Sequence, residues 1–255
     1  MSKSTSEKPS KAIKDSLQQE AKAETIAPSL RRYRTVLFLS VLFLAIIVFV
    51  LLAFLARTTP AFPIDLQITR AIQSIDSPVF DGLMRLISWP GFSPQSTIVT
   101  LLIGLVLYLF GLHWEAVTAL LASLLSGLTN QLVKILIQRP RPSVDSVDVF
   151  AVLKSYSFPS GHVMFYTILF GFLWYLAYTL IKPSLPRSLL LVLLGGLILG
   201  VGASRIHLGQ HWASDVLGAY LLGGLMLAGI ILFYQWGKTR FFLRQPVTPS
   251  DSKKE

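Results

Sequence analysis

The chain has 255 residues, 53% of them hydrophobic and only 14% charged, a balance too apolar for an ordinary soluble enzyme and compatible with one domain. Its formal net charge is +10, but the cations stand at the ends of apolar runs and form no basic face interleaved with aromatics, which sets nucleic acid aside as a partner. Without cysteine there is no disulfide framework and no thiolate-held zinc, and the redox compartment stays undetermined.

Residues 1–30 are rich in Lys, Ser, Glu and Ala and read as a solvated tail. Residues 35–56 then form a continuous apolar run of spanning length. It is longer than a signal-peptide core and follows a long polar segment, so it is expected to stay in the protein. Over residues 57–94 Ile64, Ile68, Ile72 and Ile75 recur at helical spacing with Asp65, Arg70 and Asp76 between them, which predicts short interfacial helices. Further apolar runs at 97–114, 116–137, 163–181, 188–203 and 216–236 bring the total to six spans. The expected fold is all-α, a polytopic six-transmembrane-helix bundle over residues 31–237 with short interfacial helices and a second tail at 238–255. No internal repeat is visible.

An even number of spans returns the C-terminus to the side of the N-terminus. Arg31, Arg32 and Arg34, Lys182 and Arg187, and Lys238, Arg240, Arg244, Lys253 and Lys254 then fall on one side, which the positive-inside rule makes cytoplasmic. The connections after spans one, three and five face outward, and two of them hold nearly every polar residue of interest.

Three clusters carry potential chemistry. In the first, Lys134 lies inside the third run and Arg141–Pro142 just past it. An unpaired lysine at membrane depth costs about 3 kcal/mol, so Lys134 either snorkels to the interface or meets an anion. Arg139 reads as a simple interfacial charge. In the second, Pro159, Ser160, Gly161 and His162 precede the fourth span. Ser160 suits a helix N-cap, and the exposed N–H groups of a helix start, with glycine allowing close approach, also suit a phosphate; His162 at its edge has a proton to give. The third is Ser204, Arg205, His211 and Asp215. If helical, His211 and Asp215 share a face, and the carboxylate fixes the imidazole tautomer and frees the other nitrogen as a nucleophile. The bland alternative is a buried ion pair between helix ends. An H-x3-H-x3-D stripe through His207 also has metal-ligand residue types, but requires continuous helix through Gly209. His113 sits in the opposite connection and reads as interfacial.

Together the clusters place three cations, a helix start, two histidines and a carboxylate at one end of the bundle, a set suited to a phosphoryl group. The order K-x6-RP at Lys134 to Pro142, PSGH at Pro159 to His162, and SR-x5-H-x3-D at Ser204 to Asp215 closely resembles the signature of the type-two phosphatidic acid phosphatase family. That family groups with lipid phosphate phosphatases, undecaprenyl diphosphate phosphatases and vanadium-dependent haloperoxidases. The resemblance implies phosphate binding by Lys134, Arg141, Ser160, Gly161 and Arg205. It further implies attack by His211 to give a phosphohistidine, orientation of His211 by Asp215 and protonation of the leaving oxygen by His162. It implies no metal and no cofactor, and a lipid phosphate or diphosphate as substrate among membrane lipids; a bacterial inner membrane is the expected place, the charge bias puts the site outside, and the oligomeric state is not readable. The competing readings are a transporter, against which the clustering of polar residues at one membrane face counts, a haloperoxidase, and a non-catalytic binder of lipid phosphates.

Overall fold

A computed structural model describes residues 28–242. The tail expected at 1–30 lies outside these apart from its last three residues, as does all of the 238–255 tail beyond residue 242. Every regular element among the described residues is helical. We number them α1 (Pro28–Thr58), α2 (Pro63–Gln73), α3 (Pro78–Ser88), α4 (Gln95–Leu109), α5 (His113–Ile137), α6 (Gly161–Leu180), α7 (Leu185–His207) and α8 (Ala213–Gly237). By its contacts the chain divides into two units, Met1–Leu44 and Ala45–Glu255. The described part of the first is the leading half of α1, with Leu37, Leu39 and Phe43 exposed, as lipid-facing side chains are. The second holds the remainder of α1, the other seven helices and all the motif residues.

Helix starts are set by local chemistry. Proline at the first turn begins α2, α3 and α7, where its missing N–H costs nothing. Ser77 and Ser184 accept the N–H groups of Phe80 and Arg187, and the Asp65 carboxylate accepts that of Phe62 at 3.2 Å.

Among the described residues, five helices are long and apolar enough to cross a membrane: Arg32–Thr58, His113–Ile137, Gly161–Leu180, Leu185–His207 and Ala213–Phe241. The sixth span, expected at 97–114, takes another form. α4 has 15 residues, about 22 Å of helix at 1.5 Å per residue, and reaches spanning length only as a pair with the preceding segment Pro78–Gly91, bent by 65°. Gly111, at φ 75°, closes a turn after Leu109, and Trp114 belongs to the next helix. Because Phe110, Gly111 and Leu112 are apolar, hydropathy runs straight through this turn.

α6 is the packing centre, with 61% of its spanning window buried. Val163, Met164, Tyr166, Ile168, Leu169 and Phe172 are each fully enclosed. At the end of the bundle away from the motif residues, buried Glu115 pairs with Lys238 at 2.7 Å and accepts the Tyr234 hydroxyl at 2.8 Å.

Candidate active site

The C-terminal ends of α5 and α7, the N-terminal ends of α6 and α8 and the loops joining them carry all eight motif residues. α5 stops at Gln138, whose left-handed backbone (φ 56°) turns the chain out of the helix axis. The loop returns through Ser157, whose N–H donates to the Arg139 carbonyl at 2.8 Å. α7 stops at Gly209, at φ 61°, where a β-carbon would stand 1.9 Å from the Asp148 carbonyl oxygen; only glycine fits this reversal. The Gln210 and His211 N–H groups then both donate back to the Arg205 carbonyl.

This turn corrects one expectation. His211 and Asp215 do meet, but not as neighbours on a helical face: α8 begins at Ala213, and His211 precedes it. Asp215 instead caps the new helix, accepting the Trp212 N–H at 2.9 Å, while the turn swings the imidazole back over the carboxylate. The His211 Nδ1 lies 3.6 Å from Asp215 Oδ2, and Ser157 Oγ donates to that oxygen at 2.5 Å. On the other side of the ring, Nε2 stands 3.2 Å from an Arg141 guanidinium nitrogen. A guanidinium only donates, so Nε2 carries the lone pair and Nδ1, toward Asp215, carries the proton. Burial first, then the charges of Arg141, Lys134 and Arg205, hold the imidazolium form well below the usual histidine range. His211 is therefore a neutral base with its lone pair turned away from its carboxylate.

Arg139, expected at the interface, is 1% exposed. Its guanidinium bridges two carboxylates, Asp215 at 2.7 Å and Asp65 at 2.8 Å, and donates to Ser214 Oγ and the Pro60 carbonyl as well. Asp65, from α2, accepts the Ser214 N–H and hydroxyl. Sequence reading missed both residues: Asp65 and Arg139 lie 74 positions apart, and each sits in a segment where a surface charge is unremarkable.

Each of the three cations is held by groups of the protein. Lys134, buried on the last turn of α5, donates to the Tyr156 carbonyl at 2.5 Å. Arg141 is fixed by the Ser155 and Gln210 carbonyls. Arg205 is anchored by Ser88 Oγ at 3.0 Å and by Gln210, and lies over the Phe92 ring, 5.2 Å from its centroid. The edge of the His162 imidazole packs on the same Phe92 ring at 4.6 Å. Ser160 occupies the N-cap position of α6, but its side chain makes no cap hydrogen bond. Three buried polar atoms here, Ser160 Oγ, His162 Nε2 and Arg205 Nε, have no hydrogen-bond partner. Buried polar groups are almost always paired, and each of these three can donate a hydrogen bond to an anion's oxygen.

His207 turns away to Asp81, at 2.6 Å, and among the described residues no three His, Asp or Glu side chains converge as a metal site. The H-x3-H-x3-D stripe fails because the helix breaks at Gly209. His113 opens α5 at the far end, its ring 4.6 Å from that of Tyr108.

The PAP2 superfamily model matches residues 115–240. Phosphatidylglycerophosphatase B of Bacillus subtilis (strain 168) is 30% identical over 184 residues, 69% of this chain and 86% of that protein. The crystal structure of the first transmembrane PAP2-type phosphatidylglycerolphosphate phosphatase from Bacillus subtilis superposes with a TM-score of 0.68 at 27% identity, covering 79% of this chain and 98% of that one. That of Aquifex aeolicus LpxE gives a TM-score of 0.54 at 22% identity over 67% and 96%, a likeness of fold.

Proposed function

The chain belongs to the PAP2 superfamily of membrane lipid phosphatases, and from that premise we propose that it hydrolyses a lipid phosphate or diphosphate through a phosphohistidine formed on His211. The Nε2 lone pair attacks phosphorus, and the P–N bond forms as the bond to the lipid oxygen breaks. His162 gives its proton to that departing oxygen. It then takes one from the water that cleaves the P–N bond, releasing inorganic phosphate and restoring the His211 lone pair. Lys134, Arg141 and Arg205, with Ser160 and the Gly161 backbone, hold the equatorial oxygens, where fixed cations supply the charge stabilisation that phosphoryl transfer needs. The 3.2 Å contact between Arg141 and His211 Nε2 opens to admit phosphorus. Asp215 keeps the Nδ1 proton in place throughout.

The observation that carries this reading is the trio of buried, unpartnered atoms on Ser160, His162 and Arg205, each able to donate to a phosphate oxygen. Phosphatidate, phosphatidylglycerophosphate and undecaprenyl diphosphate all present such a group, and the relative 30% identical to this chain is named for the second.

The test is phosphate release by the purified protein in detergent from these lipids in excess EDTA, beside His211→Ala. The expected result is release that survives the chelator and disappears in the variant. Release that stops with EDTA would remove the metal-free mechanism, and no release by folded protein would favour a transporter or a silent lipid-phosphate binder.

A further inference from the structure

Between α3 and α4 the chain turns through 65°, and the residues at this bend touch two motif side chains in turn. The bend precedes all three motifs in the sequence. Ser88 meets Arg205, Gly91 meets His162, and Phe92 meets both. The Tyr166 hydroxyl donates to the Ile87 carbonyl and the Ser204 hydroxyl to that of Met84 at 2.5 Å, which fastens the bend to α6 and to α7.

Arg205 is 0% exposed, yet among the described residues no carboxylate pairs with it. Its anchors are neutral: the Ser88 hydroxyl, the Gln210 side-chain oxygen and the Phe92 ring. Arg139, by contrast, spends its charge on Asp65 and Asp215. Neutral anchors orient a guanidinium and leave its charge for an anion. The hydroxyl protons follow from the geometry. A carbonyl only accepts, so the Ser204 hydrogen goes to Met84. The Ser88 hydrogen then goes to Ser204, 2.6 Å away, and a Ser88 lone pair is left facing Arg205 at 3.0 Å. Ser204, a motif residue with no part in the phosphate chemistry above, acquires one here.

His162 is held differently. Its side chain makes no hydrogen bond among the described residues, and Nε2 is buried without a partner, so packing has to aim it. The Phe92 ring lies 4.6 Å from the imidazole at 82°. The Gly91 backbone comes so close that a β-carbon there would stand 2.4 Å from the same ring.

We propose that the α3–α4 bend is a positioning element of this site, an inference that rests on the phosphatase reading above. Ser88, backed by Ser204, aims the Arg205 guanidinium at phosphate, and Phe92 and Gly91 aim the His162 ring at the leaving oxygen.

The experiment measures kcat and KM on the best of the lipids named above, and the inhibition constant of inorganic phosphate, for the wild type, Ser88→Ala, Phe92→Leu and Gly91→Ala. Ser88→Ala should raise the inhibition constant about tenfold, the worth of one hydrogen bond to a charged group, and KM with it. Phe92→Leu should lower kcat about tenfold by misaligning the proton donor and leave the inhibition constant within about threefold. Gly91→Ala should repeat the Phe92→Leu pattern. In a His162→Ala background Phe92→Leu should cost less than about twofold, since a residue that acts through His162 then has nothing to act on. A loss of kcat that persists without His162, wild-type phosphate inhibition in Ser88→Ala, or losses of one kind in all three variants overturn the proposal, because packing alone produces those. A wild type that releases no phosphate overturns the phosphatase reading itself, and this assignment with it.

Discussion

Arg139 touches none of the proposed phosphate ligands, yet the proposed nucleophile, His211, depends on it. Asp215 has to stay in one place to hold the Nδ1 proton of His211, and Arg139 pairs with it at 2.7 Å. The second carboxylate, Asp65, fixes the guanidinium from behind at 2.8 Å. Replacing Arg139 by Gln leaves two buried carboxylates without a counter-charge, a loss of about 3 to 5 kcal/mol, so the thermal midpoint in detergent should fall. In the protein that remains folded, kcat should drop by about a hundredfold with KM little changed, because the phosphate ligands stay while the base loses its alignment. A variant with wild-type kcat would show that Asp215 needs no such support. At this scale the motif residues were legible because their types and spacing are unusual; Arg139 and Asp65 were not, since a charge near a span end is ordinary until its partner is known.

Among the elements, the α7–α8 turn decides whether His211 is usable, and its critical position is Gly209. A β-carbon there meets the Asp148 carbonyl at 1.9 Å and also requires a left-handed backbone. Gly209→Ala is therefore expected to destabilise the fold by at least about 1 to 3 kcal/mol and to depress phosphate release as His211 shifts. Gly195, on the open surface of α7 with nothing within 4 Å of its would-be β-carbon, is the control. Alanine there should be neutral or stabilising by up to about 1 kcal/mol. Equal midpoint shifts in a thermal melt of the two variants would refute the assignment. Helix existence was readable here from long apolar runs. The bend of 65° between α3 and α4 was not, since Pro90, Gly91 and Pro94 mark a break in the helix without fixing the angle at which the chain continues.

The whole molecule is an integral membrane protein whose motif residues gather at one end of the bundle, and the charge pattern predicts that this end faces outward. Absence of cysteine from the chain makes a direct test clean. Val152→Cys, in the site-side loop and 81% exposed in the wild type, should react with a membrane-impermeant maleimide in intact cells. Lys182→Cys, in the α6–α7 connection at the other end, should react only after permeabilisation, and the reverse pattern would turn the site inward. The apolar runs by themselves determined that the chain crosses a membrane several times, because hydropathy sums over near neighbours and needs no knowledge of the fold. The three motifs determined which residues would share one end. Tertiary structure alone decided what completes that end: the Asp65–Arg139–Asp215 bridge, the propping of Arg205 by Ser88 and Gln210, and the packing of Phe92 on His162. The Asp65–Arg139–Asp215 bridge and the Ser88–Arg205 contact join segments far apart in the chain, and an ion pair or a packed ring exists only once the backbone has closed and excluded water from between its parts.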